Sequence, residues 1–132
     1  MGRKLWSIAL IIAGILLLLV TLWPGLLSGT APNNIRWATQ SEKDNFGYDI
    51  FRGPSEEGPF ERLNPLPIAG AGTTDLPQRY EFRDTSSRFN TAYWYYVESI
   101  SLDGSRKRVT PVMAARPKSL LSGLLDSLQI QF

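Results

Sequence analysis

The chain has no cysteine and no histidine among its 132 residues. Without cysteine it can build neither a disulfide framework nor a thiolate metal site. Without histidine it lacks the commonest general base and the commonest metal ligand. The chemistry left open is that of carboxylate pairs, Ser–Lys dyads and oxygen-only metal sites. Glu56 and Glu57 are adjacent in a Gly/Pro loop, a placement that suits solvent better than a paired acid and base. Lys43-Asp44-Asn45 and Asp49 offer oxygens without the spacing of a calcium loop. No glycine-rich phosphate loop precedes a helix. The expectation is a non-catalytic protein with no cofactor and no bound metal.

Net positive charge is also scarce where it would matter. The isoelectric point is about 9.1, but of the 14 Lys/Arg, Arg3 and Lys4 lie at the extreme N-terminus, and the remainder balances the 12 Asp/Glu. Nucleic-acid binding needs a net positive field, so no nucleic-acid partner is expected. The run Arg106-Lys107-Arg108 reads as a solvated turn.

Charge is absent altogether from "LWSIALIIAGILLLLVTLW", Leu5 to Trp23. Nineteen residues at ~1.5 Å each give roughly 28 Å of helix, close to the thickness of a bilayer's hydrocarbon core. Trp6 and Trp23 stand at its two ends, where amphipathic rings settle at the headgroup level. Arg3 and Lys4 precede it, and the next charge is Arg36. By the positive-inside rule residues 1–4 stay cytoplasmic, 5–23 span, and the rest crosses. In a bacterium this places a single-pass protein in the inner (cytoplasmic) membrane with its domain in the periplasm. A cleavable signal peptide is the rival reading, but its apolar core is typically ~7–15 residues. The one small-x-small match, Gly29-Thr30-Ala31, is followed by Pro32. Ala9, Ala13 and Gly14 form a small-residue patch that lets a second helix approach.

Residues 24–34, "PGLLSGTAPNN", read as an uncharged linker. From Ile35 the pattern becomes short alternating runs split by turn residues, as in an antiparallel sandwich. The runs are "IRWAT", "YDIFR", "FERLN", "RYEFRD", "YWYYVESIS" and "RVTPVMA". The dividers "RGPSEEGP", "NPLPIAGAGTTDLPQ" and "LDGS" are rich in Gly, Pro, Asp and Ser. Asp103-Gly104 between two apolar runs signals a hairpin.

The segments "WATQSEKDNFGYDIFRGPSEEGPFERLNPLPIAGAG", "YEFRDT" and "YWYYVESISLDG" resemble the fibronectin type III-like repeats of bacterial envelope proteins. The likeness covers residues 35–117 and is strongest over Trp37–Arg52 and Tyr93–Gly104. It implies an all-β, immunoglobulin-like sandwich used for spacing or protein contact, with Asn45 and Gly47 as turn formers. It also implies a departure, because a full repeat opens with a strand before the tryptophan strand. Either "SGTAPNN" supplies a rudimentary edge strand or the sheet edge stays open, and an open edge invites pairing with another chain.

In "YWYYV", Tyr93, Tyr95 and Val97 share one face and Trp94 and Tyr96 the other. The resemblance turns the first set inward toward Trp37, Tyr48 and Ile50, with Tyr93 as the corner tyrosine bonded to a loop. Trp94 and Tyr96 then look outward beside Phe51, an aromatic patch of the kind that marks contact surfaces. Arginine stems such as Arg52 or Arg108 are the groups that could cover it.

Residues 118–132 close the chain with an amphipathic pattern. Ser119 caps a short helix that places Leu120, Leu121, Leu124, Leu125 and Leu128 on one face, extended by Phe132. Too short to span and poor in basic residues, it suits a groove on a partner protein better than a lipid surface. The function expected is that of a single-span accessory subunit stabilising a larger integral membrane protein complex, whether energy-transducing (photosynthetic or respiratory), secretory or transporting. The alternative is a membrane-tethered adhesion or glycan-binding module.

Overall fold

The computed structural model describes residues 7, 8, 10–18 and 29–119. Among these residues eight strands follow one another: β1 (Asn33–Thr39), β2 (Glu42–Gly53), β3 (Glu61–Arg62), β4 (Ile68–Thr74), β5 (Gln78–Asp84), β6 (Tyr93–Ser101), β7 (Arg106–Arg108) and β8 (Met113–Ala115). They form two antiparallel sheets. Among the described residues, one contains β1 and β5 only. In the other, β2 and β6 are the central pair, with β3 and β4 on the far side of β2 and β7 and β8 on the far side of β6.

Alternation decides which side chains meet. On β1, Ile35 and Trp37 are buried while Asn34, Arg36 and Ala38 are exposed. Together with Tyr48 and Ile50 of β2 and Tyr95 and Val97 of β6 they make one core, flanked by Tyr80 and Phe82 of β5. Both sheets thus contribute their inner faces to the same apolar layer, an all-β arrangement compatible with a β-sandwich.

Three local features differ from the sequence pattern. The glycine-rich divider after Pro67 contains a full strand, β4, paired with β2. Asn45 and Gly47 lie inside β2, where the register against β4 and β6 shifts between them; they shape a bulge rather than a turn. A Cβ on Gly47 would lie 2.5 Å from the Ile68 carbonyl oxygen, so glycine is what admits β4 this closely. Finally, "RVTPVMA" is not one strand. The Val97 N–H donates to Thr110 Oγ1 (2.9 Å) rather than to a backbone carbonyl, and β8 resumes pairing at Met113↔Tyr95. Pro111 has no N–H to offer a ladder. The Asp103-Gly104 hairpin forms as expected: Gly104 has φ +82° and its N–H donates to Ser101 O at 2.9 Å.

In the described part of "SGTAPNN", residues 29–34, no separate edge strand forms. The Ala31 N–H donates to Ser87 O (2.7 Å), the Phe89 N–H to Gly29 O (3.2 Å), and Ser87 Oγ to Ala31 O (2.7 Å). Residues 29–32 therefore lengthen the contact between β1 and the segment after β5. Among the described residues, β1 pairs with β5 alone.

Residues 7, 8 and 10–18 are helical, and their large side chains, from Ile8 to Leu18, are 53–71% exposed. Among the described residues no helix is long and apolar enough to cross a membrane. The ends of the expected span, with Trp6 and Trp23, lie outside the described residues.

Candidate interaction surface

Of the three rings expected to lie together on the outer face of the larger sheet, Phe51 and Tyr96 meet. Phe51 pairs with Tyr96 across β2–β6, and their rings stack 4.8 Å apart. Phe60, from the β2–β3 loop, meets Tyr96 edge-on at 5.0 Å. The Arg108 guanidinium lies 4.0 Å from the centre of the Tyr96 ring, a cation–π contact. Tyr96 is left 8% exposed, while Phe51 and Trp94 are half-buried. The ring expected at the middle of an open patch is thus covered by its neighbours. Trp94 stands apart, its cross-strand partners being Gly53 and Ala114.

The charged run beside this face is strand rather than turn. Arg106 Nη1 bonds Asp49 Oδ2 at 2.8 Å and Glu98 Oε1 at 2.9 Å. Asp49 is fully buried; Asn64 Nδ2 bonds its other oxygen at 2.9 Å, and Arg62 approaches at 3.4 Å. The basic side chains answer a buried carboxylate, as burial of charge requires.

At the other end of β6, the hydroxyl bonded to the corner belongs to Tyr95, not Tyr93. Tyr95 OH donates to Asp84 Oδ2 (2.8 Å) and accepts from Asn33 Nδ2 (3.0 Å), tying both sheets together. Tyr93 instead offers its ring to the Arg52 guanidinium at 4.8 Å. Arg52 also bridges Asp84 (2.9 Å) and Glu61. Burial pushes the Tyr95 hydroxyl pKa up, reinforced by the bond to Asp84 and its charge.

Glu42 lies in the segment that carries the family resemblance, but nothing in its spacing marks it as a shared hydrogen-bond acceptor. Its Oε1 accepts from Thr39 Oγ1 (2.8 Å), Tyr48 OH (2.8 Å) and Tyr80 OH (2.6 Å); its Oε2 accepts from Asn45 Nδ2 (2.8 Å) and the Ala71 N–H (2.8 Å). Burial alone would raise its pKa. The bonds from Tyr80, Asn45, Ala71 and Tyr48 outweigh that and hold it at about 2. The same pairing and burial push Tyr80 up to about 12 and Tyr48 up as well. Donors from four strands, β1, β2, β4 and β5, meet on this one carboxylate.

Among the described residues no group of three or more acidic side chains could hold a metal ion. A groove of about 690 Å³ lies between β1 and β8, lined by Asn33, Ile35, Arg36, Tyr95, Met113 and Ala115 among others. Ala13 and Gly14 are on the helix, and nothing within 4 Å would meet a Cβ on Gly14. Ala9, Trp6 and Trp23 lie outside the described residues, as do Leu120, Leu121, Leu124, Leu125, Leu128 and Phe132.

The surface defines the class: an all-β, antiparallel two-sheet protein whose polar networks are internal ties. Comparison with protein families, with characterised proteins and with solved structures finds no match to this chain.

Proposed function

We propose that this protein is a non-catalytic accessory subunit, held in a bacterial membrane by residues 5–23, whose fibronectin type III-like sandwich docks on a larger integral membrane complex. One observation carries the reading. The helical residues present Ile8, Leu10, Ile11, Ile12, Ile15, Leu16, Leu17 and Leu18, each more than half exposed. A helix apolar on every side is stable only inside lipid or protein. On the sandwich, half-buried Phe51, Phe60 and Trp94 supply a semi-rigid apolar face beside Arg108, a composition found at protein contacts. The leucine-bearing tail adds a further contact segment. Stacking of a sugar on Tyr96 is disfavoured, because Phe51 and Arg108 already lie against that ring.

Extraction of the native membrane in mild detergent, followed by mass measurement of the intact assembly, tests this. A stoichiometric complex containing the chain is expected. Recovery as a soluble, solitary polypeptide overturns the proposal.

A further inference from the structure

The groove between β1 and β8 is bounded by two sheet edges, and on the β1 side by an unusual one. Exposed edge strands are normally guarded by charge. β5, the other edge of the small sheet, exposes Arg79, Glu81 and Arg83. The only charge on β1 is Arg36, and it is engaged with Glu81 at 3.1 Å. The rest of β1 reads Asn, Asn, Ile, Trp, Ala, Thr, with Ile35 and Arg36 lining the groove. Such an edge has the composition of one that is covered.

The path of the chain brings a candidate to this edge. After β8 the backbone passes to Lys118, whose carbonyl accepts from the Asn90 N–H (2.9 Å) and whose ammonium donates to Pro32 O, immediately before β1. The residues that follow therefore set out from the mouth of the groove. Their sequence ends in "LQIQF", Leu128 to Phe132. Apolar Leu128, Ile130 and Phe132 alternate with neutral Gln129 and Gln131, the period-two signature of a half-buried strand. Residues 119–127 span roughly 14 Å as a helix and at most ~30 Å extended, against the ~23 Å length of β1, so Leu128–Phe132 can reach the edge in either form.

We infer that Leu128–Phe132 is the missing edge strand, paired along the outer edge of β1. Leu128, Ile130 and Phe132 turn toward Ile35, Tyr95 and Met113, and the two glutamines face water. This takes Leu128 and Phe132 out of the amphipathic helix and leaves Leu120, Leu121, Leu124 and Leu125 as its face. A second copy of β1 is a poorer occupant. Antiparallel pairing of two β1 strands about their centre sets Arg36 against Arg36, and like charges directly opposite are destabilising.

The inference does not depend on the docking partner, and its test uses the full chain alone in detergent micelles. Hydrogen–deuterium exchange is followed in the parent, in Ile130→Asp and in Gln129→Ala. In the parent and in Gln129→Ala, residues 33–39 and 128–132 exchange slowly together. In Ile130→Asp both segments exchange at least tenfold faster, while β2 and β6 keep their protection and so report an intact core. Free exchange of the outward β1 amides in the parent overturns the inference, as does unchanged exchange in Ile130→Asp. Protection of residues 128–132 by the micelle without protection of β1 also overturns it, and so does protection that appears only in a dimer.

Discussion

Glu42 takes five hydrogen bonds, all from uncharged donors, and its environment makes a specific prediction about acid. The folded protein holds its pKa at about 2, against an ordinary 4.5. The unfolded chain is therefore protonated first as the pH falls. The stabilisation from this group is complete above about 4.5 and is lost between there and about 2. Denaturant unfolding of Glu42→Gln should show a loss of about 2–3 kcal/mol at neutral pH, the scale of hydrogen bonds to a charged acceptor. The parent's advantage over the variant should shrink as the pH is lowered from 5 to 3. Tyr48→Phe removes a single donor to the same carboxylate and should cost about 1 kcal/mol. In alkali the sign reverses. Tyr48, Tyr80 and Tyr95 ionise later in the folded state than in the unfolded chain, so stability should fall as the pH rises above about 10. Unfolding midpoints between pH 9 and 11 measure that.

The strands that could be read in the sequence are those with large alternating side chains. β1, β5 and β6 stand where Ile35/Trp37, Tyr80/Phe82 and Tyr93/Tyr95/Val97 set a period of two. β4, "IAGAGTT", has nothing large after Ile68, so its existence depends on β2 as a template. Gly47 is the point of that dependence: Gly47→Ala should displace the Ile68 carbonyl and cost roughly 1–3 kcal/mol, with faster amide exchange in β4 than in β6. Two shortfalls at the surface have a similar cause. Which tyrosine reaches the corner and which aromatic is covered depend on partners distant in sequence. Asp84 and Asn33 fix Tyr95, while Phe60 closes over Tyr96 beside Arg108, one of the two arginines the sequence offered as a cover. Arg108→Ala should uncover the Tyr96 ring. A rise in its iodination rate, with a loss of stability of about 0.5–1 kcal/mol, checks this.

Across the whole molecule, the described chain comes into the sandwich and leaves it at the same pole. Gly29 is bonded to Phe89, and Lys118 to both Asn90 and Pro32. The turn at Asp75-Leu76 and the hairpin at Leu102–Gly104 belong to the opposite pole, where β1 ends at Thr39 against Gln78 and β2 meets β6 at Asn45↔Ser101. A tug between the preceding and following segments would be carried by the few bonds at Pro32, Asn90 and Lys118. The aromatic core would be loaded only after those bonds yield. The domain behaves mechanically like a bell hung from one fixing, shielded from strain in whatever its two tails are tied to.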